Sequence, residues 1–249
     1  MALVKCTARA FFLSVLGLVP ILTVSPALAS SVNVAFTNTG VTVAGSTIFS
    51  ADLSGVGLST IASVKITDSN SGIGGSPGIF SGFDLDAIFL DVDGNIATTG
   101  DQTSASSYSY TAGTVRPTAI TAMQPNAAHP GPLFGSINAT TIDYATATLN
   151  VLDGVSIADV NLANGFLTLG DGGMVIANFV PSVNVGATLF VLAGEVGGNG
   201  EDLTATVTIS DTPLNPVPLP AALPLFASGL GALGLLGWRR KKKAAAVAA

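Results

Sequence analysis

Four aspartates lie close together in residues 81–95, SGFDLDAIFLDVDGN. Two of them, Asp91 and Asp93, have Asp-x-Asp spacing and are followed by Gly94 and Asn95. Carboxylate oxygens at alternate positions of a tight turn suit a hard cation such as Ca²⁺. A complete calcium loop would also carry a terminal bidentate Glu, which is absent here. The sequence therefore favours turn-forming aspartates. It predicts no bound cofactor, and a Ca²⁺ site at Asp91 and Asp93 is the alternative.

Residues for hydrolytic chemistry are scarce. His129 is the single histidine and lies in a Pro-Gly loop, AAHPGP. A Ser-His-Asp site would have to use it, and no Gly-x-Ser-x-Gly elbow accompanies it. Glu195 and Glu201 could form a glycosidase pair with an aspartate, but carboxylates are scattered through any acidic domain. We therefore predict no catalytic residues and a non-enzymatic protein, with a secreted hydrolase as a further alternative.

The elements that would position these residues have the patterns of β-strands. The segment LTATVTIS, residues 203–210, alternates apolar and polar side chains without interruption. VNVAF, SVKIT, TIDYATATLNV and ATLFVLAGEV show the same period of two or short apolar runs. Turn signals rich in Gly, Asn and Asp separate them, as at Asp93-Gly94 and Asp153-Gly154. This pattern predicts an all-β fold, with residues 30–211 forming a single β-sandwich or jelly-roll-like ectodomain.

Charge is unevenly distributed along the chain. Residues 30–216 contain all fifteen acidic residues but only Lys65 and Arg116 as cations, a net charge of −13. Such a domain repels phosphate backbones, which argues against nucleic acid as a partner.

The N-terminal residues 1–29 have the three parts of a secretory signal peptide. Lys5 and Arg9 precede an apolar stretch at 10–24, and Ala27 and Ala29 then provide the A-x-A spacing. As a helix that stretch would be about 22 Å long, short of the roughly 30 Å of a bilayer core. We predict cleavage by signal peptidase between Ala29 and Ser30.

The C-terminal end has the composition of a membrane anchor. Residues 221–238 contain no charge and would form a helix of about 27 Å, just long enough to span. Trp238 would lie at the interface. Residues 239–249 would be a basic cytoplasmic tail that stops translocation, because cations enter hydrocarbon at high cost. The stop-transfer residues are Arg239, Arg240, Lys241, Lys242 and Lys243.

The order of motifs in this tail resembles the PEP-CTERM sorting signal. The matching residues are Val217, Pro218, Leu219 and Pro220, then the apolar run 221–238, then the basic cluster 239–243. Leu219 stands where the motif's name calls for Glu. The resemblance implies that the host is a Gram-negative bacterium that makes exopolysaccharide. It also implies that an exosortase, a membrane-embedded cysteine protease-transpeptidase, recognises and cuts the tail. Residues 212–220 would then be the linker and sorting motif.

Together these features predict an exported, non-catalytic protein of the cell surface or extracellular matrix. The chain would be anchored once in the inner membrane before processing, then released to the exopolysaccharide layer. Signal peptidase and exosortase would be its processing enzymes, and exopolysaccharide a possible partner. A calcium- or carbohydrate-binding surface module is the alternative function.

Overall fold

A computed structural model describes residues 30–72, 76–98, 100–155, 159–197 and 206–214. Within these ranges the protein is all-β, as predicted, with short 3-10 helices at Gly78–Phe80 and Thr121–Met123 and no α-helix. None of the described segments forms a helix with the length and apolar character needed to span a bilayer. The predicted span at 221–238 lies outside the described residues.

Five antiparallel strands form the first sheet. In spatial order they are β1 (Ser31–Val34), β13 (Thr206–Ser210), β4 (Thr60–Thr67), β11 (Met174–Asn184) and β7 (Ser107–Thr111). The first strand of the domain therefore pairs with the last, and Ser31 lies opposite Ser210.

Six strands form the second sheet. In spatial order they are β10 (Leu167–Thr168), β5 (Asp84–Asp91), β12 (Phe190–Val196), β3 (Ser46–Asp52) and β2 (Thr37–Val43), with β6 (Gln102–Ser104) also paired to β5. A separate hairpin joins β8 (Ser136–Asn138) and β9 (Thr141–Ile142).

Both sheets contribute side chains to one main apolar core. Val207 and Ile209 of β13, which the alternating pattern assigned to one face, are fully buried there together with Val64 and Ile66 of β4. From the six-stranded sheet come residues such as Leu90 of β5. Burial of apolar surface at about 25 cal/mol per Å² is what holds such sheets together.

A second apolar cluster covers the other face of the six-stranded sheet. Val191 and Ala193 of β12 belong to the main core, whereas Val196 faces the opposite way, as the period of two requires. Its partners come from the long connections around the two 3-10 helices. The second apolar cluster consists of Ile79, Phe80, Met123, Phe134, Val160, Ala163, Phe166 and Val196. With both faces covered, all eight residues of β5 are buried.

One predicted strand is wrong. Of the segment TIDYATATLNV, residues 141–151, only Thr141–Ile142 is a strand, and turns follow. The Asp143 carboxylate accepts hydrogen bonds from the Ala145 backbone N–H and the Thr146 hydroxyl. The backbone carbonyl of Asp143 accepts a hydrogen bond from the N–H of Ala147. These local bonds give the backbone an alternative to a strand ladder.

Candidate functional site

The β5–β6 hairpin brings three aspartates together at one end of the six-stranded sheet. Asp91 is the last residue of β5 and pairs with Gln102, the first residue of β6. This register places Asp101 beside Asp91, and Asp93 lies in the intervening loop. One carboxylate oxygen from each of Asp91, Asp93 and Asp101 lies within 4.8 Å of the other two. These three residues are called the aspartate cluster below.

Local hydrogen bonds shape the loop that carries the aspartate cluster. Asp91 Oδ1 accepts from the backbone N–H groups of Asp93 (3.1 Å) and Gly94 (2.5 Å), and Asp93 Oδ1 accepts from the N–H of Asn95 (2.8 Å). Gly94 has φ +71°, and a Cβ there would lie 3.0 Å from the Phe190 ring. Glycine therefore avoids the strain of the left-handed backbone here, and a larger residue would also have to displace the Phe190 ring.

The members of the aspartate cluster differ in exposure. Asp91 is fully buried at 0% exposure, Asp101 is half-buried, and Asp93 is exposed. Asp91 Oδ2 and Asp101 Oδ1 are buried oxygens with no hydrogen-bond partner among the described residues. Burial raises the pKa of Asp91 above its usual value, and the neighbouring charges of Asp101 and Asp93 raise it further. The arrangement concentrates negative charge and unsatisfied oxygen atoms at one point.

The structure thus brings Asp91 and Asp93, the predicted candidate ligands, together and adds Asp101. Sequence reasoning missed Asp101 because it lies ten positions from Asp91 along the chain. The signal that could have found it is the hairpin itself, in which a Gly-rich loop separates two strands and an aspartate stands at each end of the loop.

Asp86 lies in the same strand but has a different environment. Asp86 and Ala87 lie opposite the single residue Gly194, which makes a β-bulge in β5. The Asp86 carboxylate is completely buried and accepts hydrogen bonds from Ser46 Oγ (2.5 Å) and from the backbone N–H groups of Asp153 (3.2 Å) and Gly154 (3.0 Å). It therefore anchors the Asp153-Gly154 turn to the sheet.

Burial raises the pKa of Asp86 to about 6, against the lowering effect of its hydrogen bonds from Ser46 and the backbone. The negative charge of Asp153 adds to the increase. A buried carboxyl of this kind can be a catalytic acid. Among the described residues, Asp86 accepts hydrogen bonds from Ser46 and from the Asp153-Gly154 turn, and these bonds give it a structural role.

The residues considered for hydrolysis do not form a common site in the described part of the chain. The His129 ring packs against Phe134 with ring centroids 4.9 Å apart, in contact with the second apolar cluster. Glu195 is buried in β12, opposite Thr47 and Leu85. Glu201 lies outside the described residues.

A cleft of about 340 Å³ adjoins the loop of the aspartate cluster. Two of its lining residues, Ile96 and Gln102, belong to that loop and to the start of β6. Polar and apolar side chains both contribute to the lining, which consists of Val43, Phe89, Ile96, Gln102, Ser104, Asn150, Val151 and Leu152.

The predicted processing sites lie at or beyond the edges of the described residues. Ala27 and Ala29, the sorting motif 217–220 and the basic cluster 239–243 are outside them. Ser30, predicted to be the first residue after cleavage, is described. Its backbone N–H donates to Asp211 Oδ1 (3.0 Å), and the Asp211 N–H donates to the Ser30 carbonyl (3.2 Å).

Comparison with known proteins adds no further assignment. No protein-family model, curated protein or solved structure matches this chain.

Proposed function

We propose that this protein is a non-catalytic, exported component of the cell surface or extracellular matrix, sorted through its C-terminal tail. Signal peptidase removes residues 1–29, the apolar run 221–238 holds the chain once in the inner membrane, and an exosortase then processes the tail near 217–220. The protein reaches the exopolysaccharide layer of a Gram-negative bacterium. Its β-rich domain is a β-sandwich of the jelly-roll type.

The tail is the observation that carries this proposal. A Pro-x-Pro motif, an uncharged stretch of 18 residues and five consecutive cations follow one another in residues 218–243. A lipid bilayer accepts the uncharged stretch, whereas the cations stay on the cytoplasmic side because their transfer into hydrocarbon costs a few kcal/mol each.

The geometry at the ends of the β-rich domain supports the proposal. Strand β1 begins at Ser31, one residue after the predicted first residue of the mature protein, so that cleavage before Ser30 leaves this strand whole. At the other end, Ser63 Oγ donates to the Thr212 carbonyl (3.0 Å) and accepts from the Leu214 N–H (3.1 Å). The described β-rich domain thus fits between the two proposed processing sites.

The intact mass of the protein recovered from its host tests both processing steps. We expect a species that starts at Ser30 and ends near Pro220. A variant with Ala27 and Ala29 both replaced by Gln should retain residues 1–29, because signal peptidase accepts only small side chains there. Its C-terminal processing serves as the internal control. Recovery of a soluble extracellular protein that still carries Trp238 and the basic cluster 239–243 would refute the sorting proposal.

A further inference from the structure

The spacing of oxygens in the aspartate cluster fits one calcium ion. Calcium binds oxygen at roughly 2.3–2.6 Å, so two ligands of one ion can be at most about 5 Å apart. The three carboxylates meet this limit, since their oxygens lie within 4.8 Å of one another. Magnesium binds oxygen at about 2.0–2.1 Å, so two of its ligand oxygens can be at most about 4.2 Å apart, and it demands near-ideal octahedral geometry. The cluster meets the calcium limit, and the flexible coordination of calcium suits carboxylates held by a protein loop better than the strict octahedron of magnesium does.

An independent observation also indicates a cation. Asp91 is 0% exposed, yet no described residue donates a hydrogen bond to its Oδ2 or to the buried Oδ1 of Asp101. Buried carboxylate oxygens are normally satisfied by donors or by an ion.

The two basic side chains in the described ranges do not lie in the aspartate cluster. Lys65 lies on β4 of the other sheet, and Arg116 forms an ion pair with Asp171 at 3.3 Å. A bound cation would supply the positive charge that these side chains do not bring to the aspartate cluster.

We propose that Asp91, Asp93 and Asp101 form a calcium-binding site that joins the two ends of the β5–β6 loop. Asp93 is the exposed member, so the ion enters from its side and keeps water in its remaining coordination positions. With three carboxylates on one hairpin, the affinity should be that of extracellular calcium modules, a Kd of about 0.1–1 mM. The site does not depend on the sorting proposal.

Calcium binding would also restrain residues that line the neighbouring cleft. Ile96 and Gln102 line the cleft and belong to the segment that the ion would join. The Gln102 side chain already donates to the Ile96 carbonyl at 3.1 Å. The ion would therefore hold one wall of the cleft in place.

Calorimetric titration of CaCl₂ into the full-length chain, purified in a nonionic detergent and freed of metal with a chelator, tests the site. We expect one site with the Kd given above, and a Tm increase of roughly 3–10 °C at about 10 mM CaCl₂. Asp101→Asn and Asp91→Asn should each weaken binding at least about tenfold, because each removes one charge and one ligand.

Asp52→Asn is the matched control. Asp52 Oδ1 accepts the N–H of Ser54 (2.8 Å), the same local turn that Asp93 makes with Asn95, but Asp52 is not in the aspartate cluster. This variant should bind calcium as the parent does. The proposal is wrong if the parent gives no binding heat up to 10 mM CaCl₂ at about constant ionic strength, or if Asp91→Asn and Asp101→Asn both bind like Asp52→Asn.

Discussion

Replacement of Asp86 by Asn should make the protein more stable at neutral pH. The Asp86 carboxylate is completely buried in the bulge of β5 and accepts three hydrogen bonds, from Ser46 Oγ and from the N–H groups of Asp153 and Gly154. An Asn has nearly the same shape. Its carbonyl oxygen can accept both backbone bonds, and its NH₂ can donate to Ser46 Oγ, since a hydroxyl also accepts.

The magnitude follows from the pKa of Asp86, which burial raises from 3.8 to about 6. Between these two pH values the folded protein binds the proton that the unfolded chain has lost. The free energy of unfolding therefore falls as the pH rises through this window. Each pKa unit corresponds to about 1.4 kcal/mol, so that ionisation of Asp86 costs about 3 kcal/mol at pH 7. Asn has no proton to lose and escapes this cost.

Urea denaturation followed by far-UV circular dichroism, on the full-length chain in detergent between about pH 4 and 7.5, measures the effect. The quantity of interest is the free energy of unfolding of Asp86→Asn minus that of the parent. We expect this difference to increase by about 3 kcal/mol across the range and to level off above about pH 7.

Asp52→Asn is the control for the pH titration as well. The backbone N–H of Ser54 lowers the pKa of exposed Asp52. Ionisation of Asp52 therefore changes the free energy of unfolding only below about pH 3.8. The free energy of unfolding of Asp52→Asn minus that of the parent should stay constant between about pH 4 and 7.5. A flat difference for Asp86→Asn, or one that decreases with pH, would show that the buried carboxyl does not resist ionisation and would refute the reasoning.

Two further predictions concern the anchored turn and the N-terminus. Gly154→Ala would place a Cβ 2.3 Å from Val196 Cγ2. It should lower the free energy of unfolding by about 1–3 kcal/mol in urea titrations. The control Gly55→Ala, whose Cβ would have no atom of a described residue within 4 Å, should leave the free energy of unfolding nearly unchanged. If residues 1–29 are removed as proposed, the Ser30 α-ammonium takes the place of the N–H that lies 3.0 Å from Asp211 Oδ1. Asp211→Asn should therefore destabilise the processed chain by about 0.2–1 kcal/mol at low salt and by less at about 1 M NaCl; an equal loss in both salts would contradict an ion pair.

The strands were predictable where the sequence carried its own periodicity. Val207 and Ile209 alternate with Thr and Ser, and the structure places both in the main core. The apolar run that became β12 was likewise predictable. The prediction failed after Ile142 because the side-chain bonds of Asp143 stabilise a turn. Those bonds do not show in an alternation of apolar and polar residues.

Only those residues of the site that are close together in the sequence were predictable. Asp91 and Asp93 are two residues apart, and the short motif that contains them also specifies the turn. The position of Asp101 depends on the pairing of Asp91 with Gln102 across a hairpin, and that of Asp86 on an extra residue opposite Gly194. Both are properties of strand register, which is decided by packing between distant segments.

The placement of β13 has a mechanical consequence for a chain held by its C-terminal end. Tension applied beyond Leu214 enters the domain through β13, which lies between β1 and β4 and is antiparallel to both. Hydrogen bonds in antiparallel ladders run perpendicular to the strands. A pull along β13 therefore shears two ladders at once instead of opening one bond after another. Drag from flow or from a surrounding gel would be resisted by both ladders wherever it acts along β13.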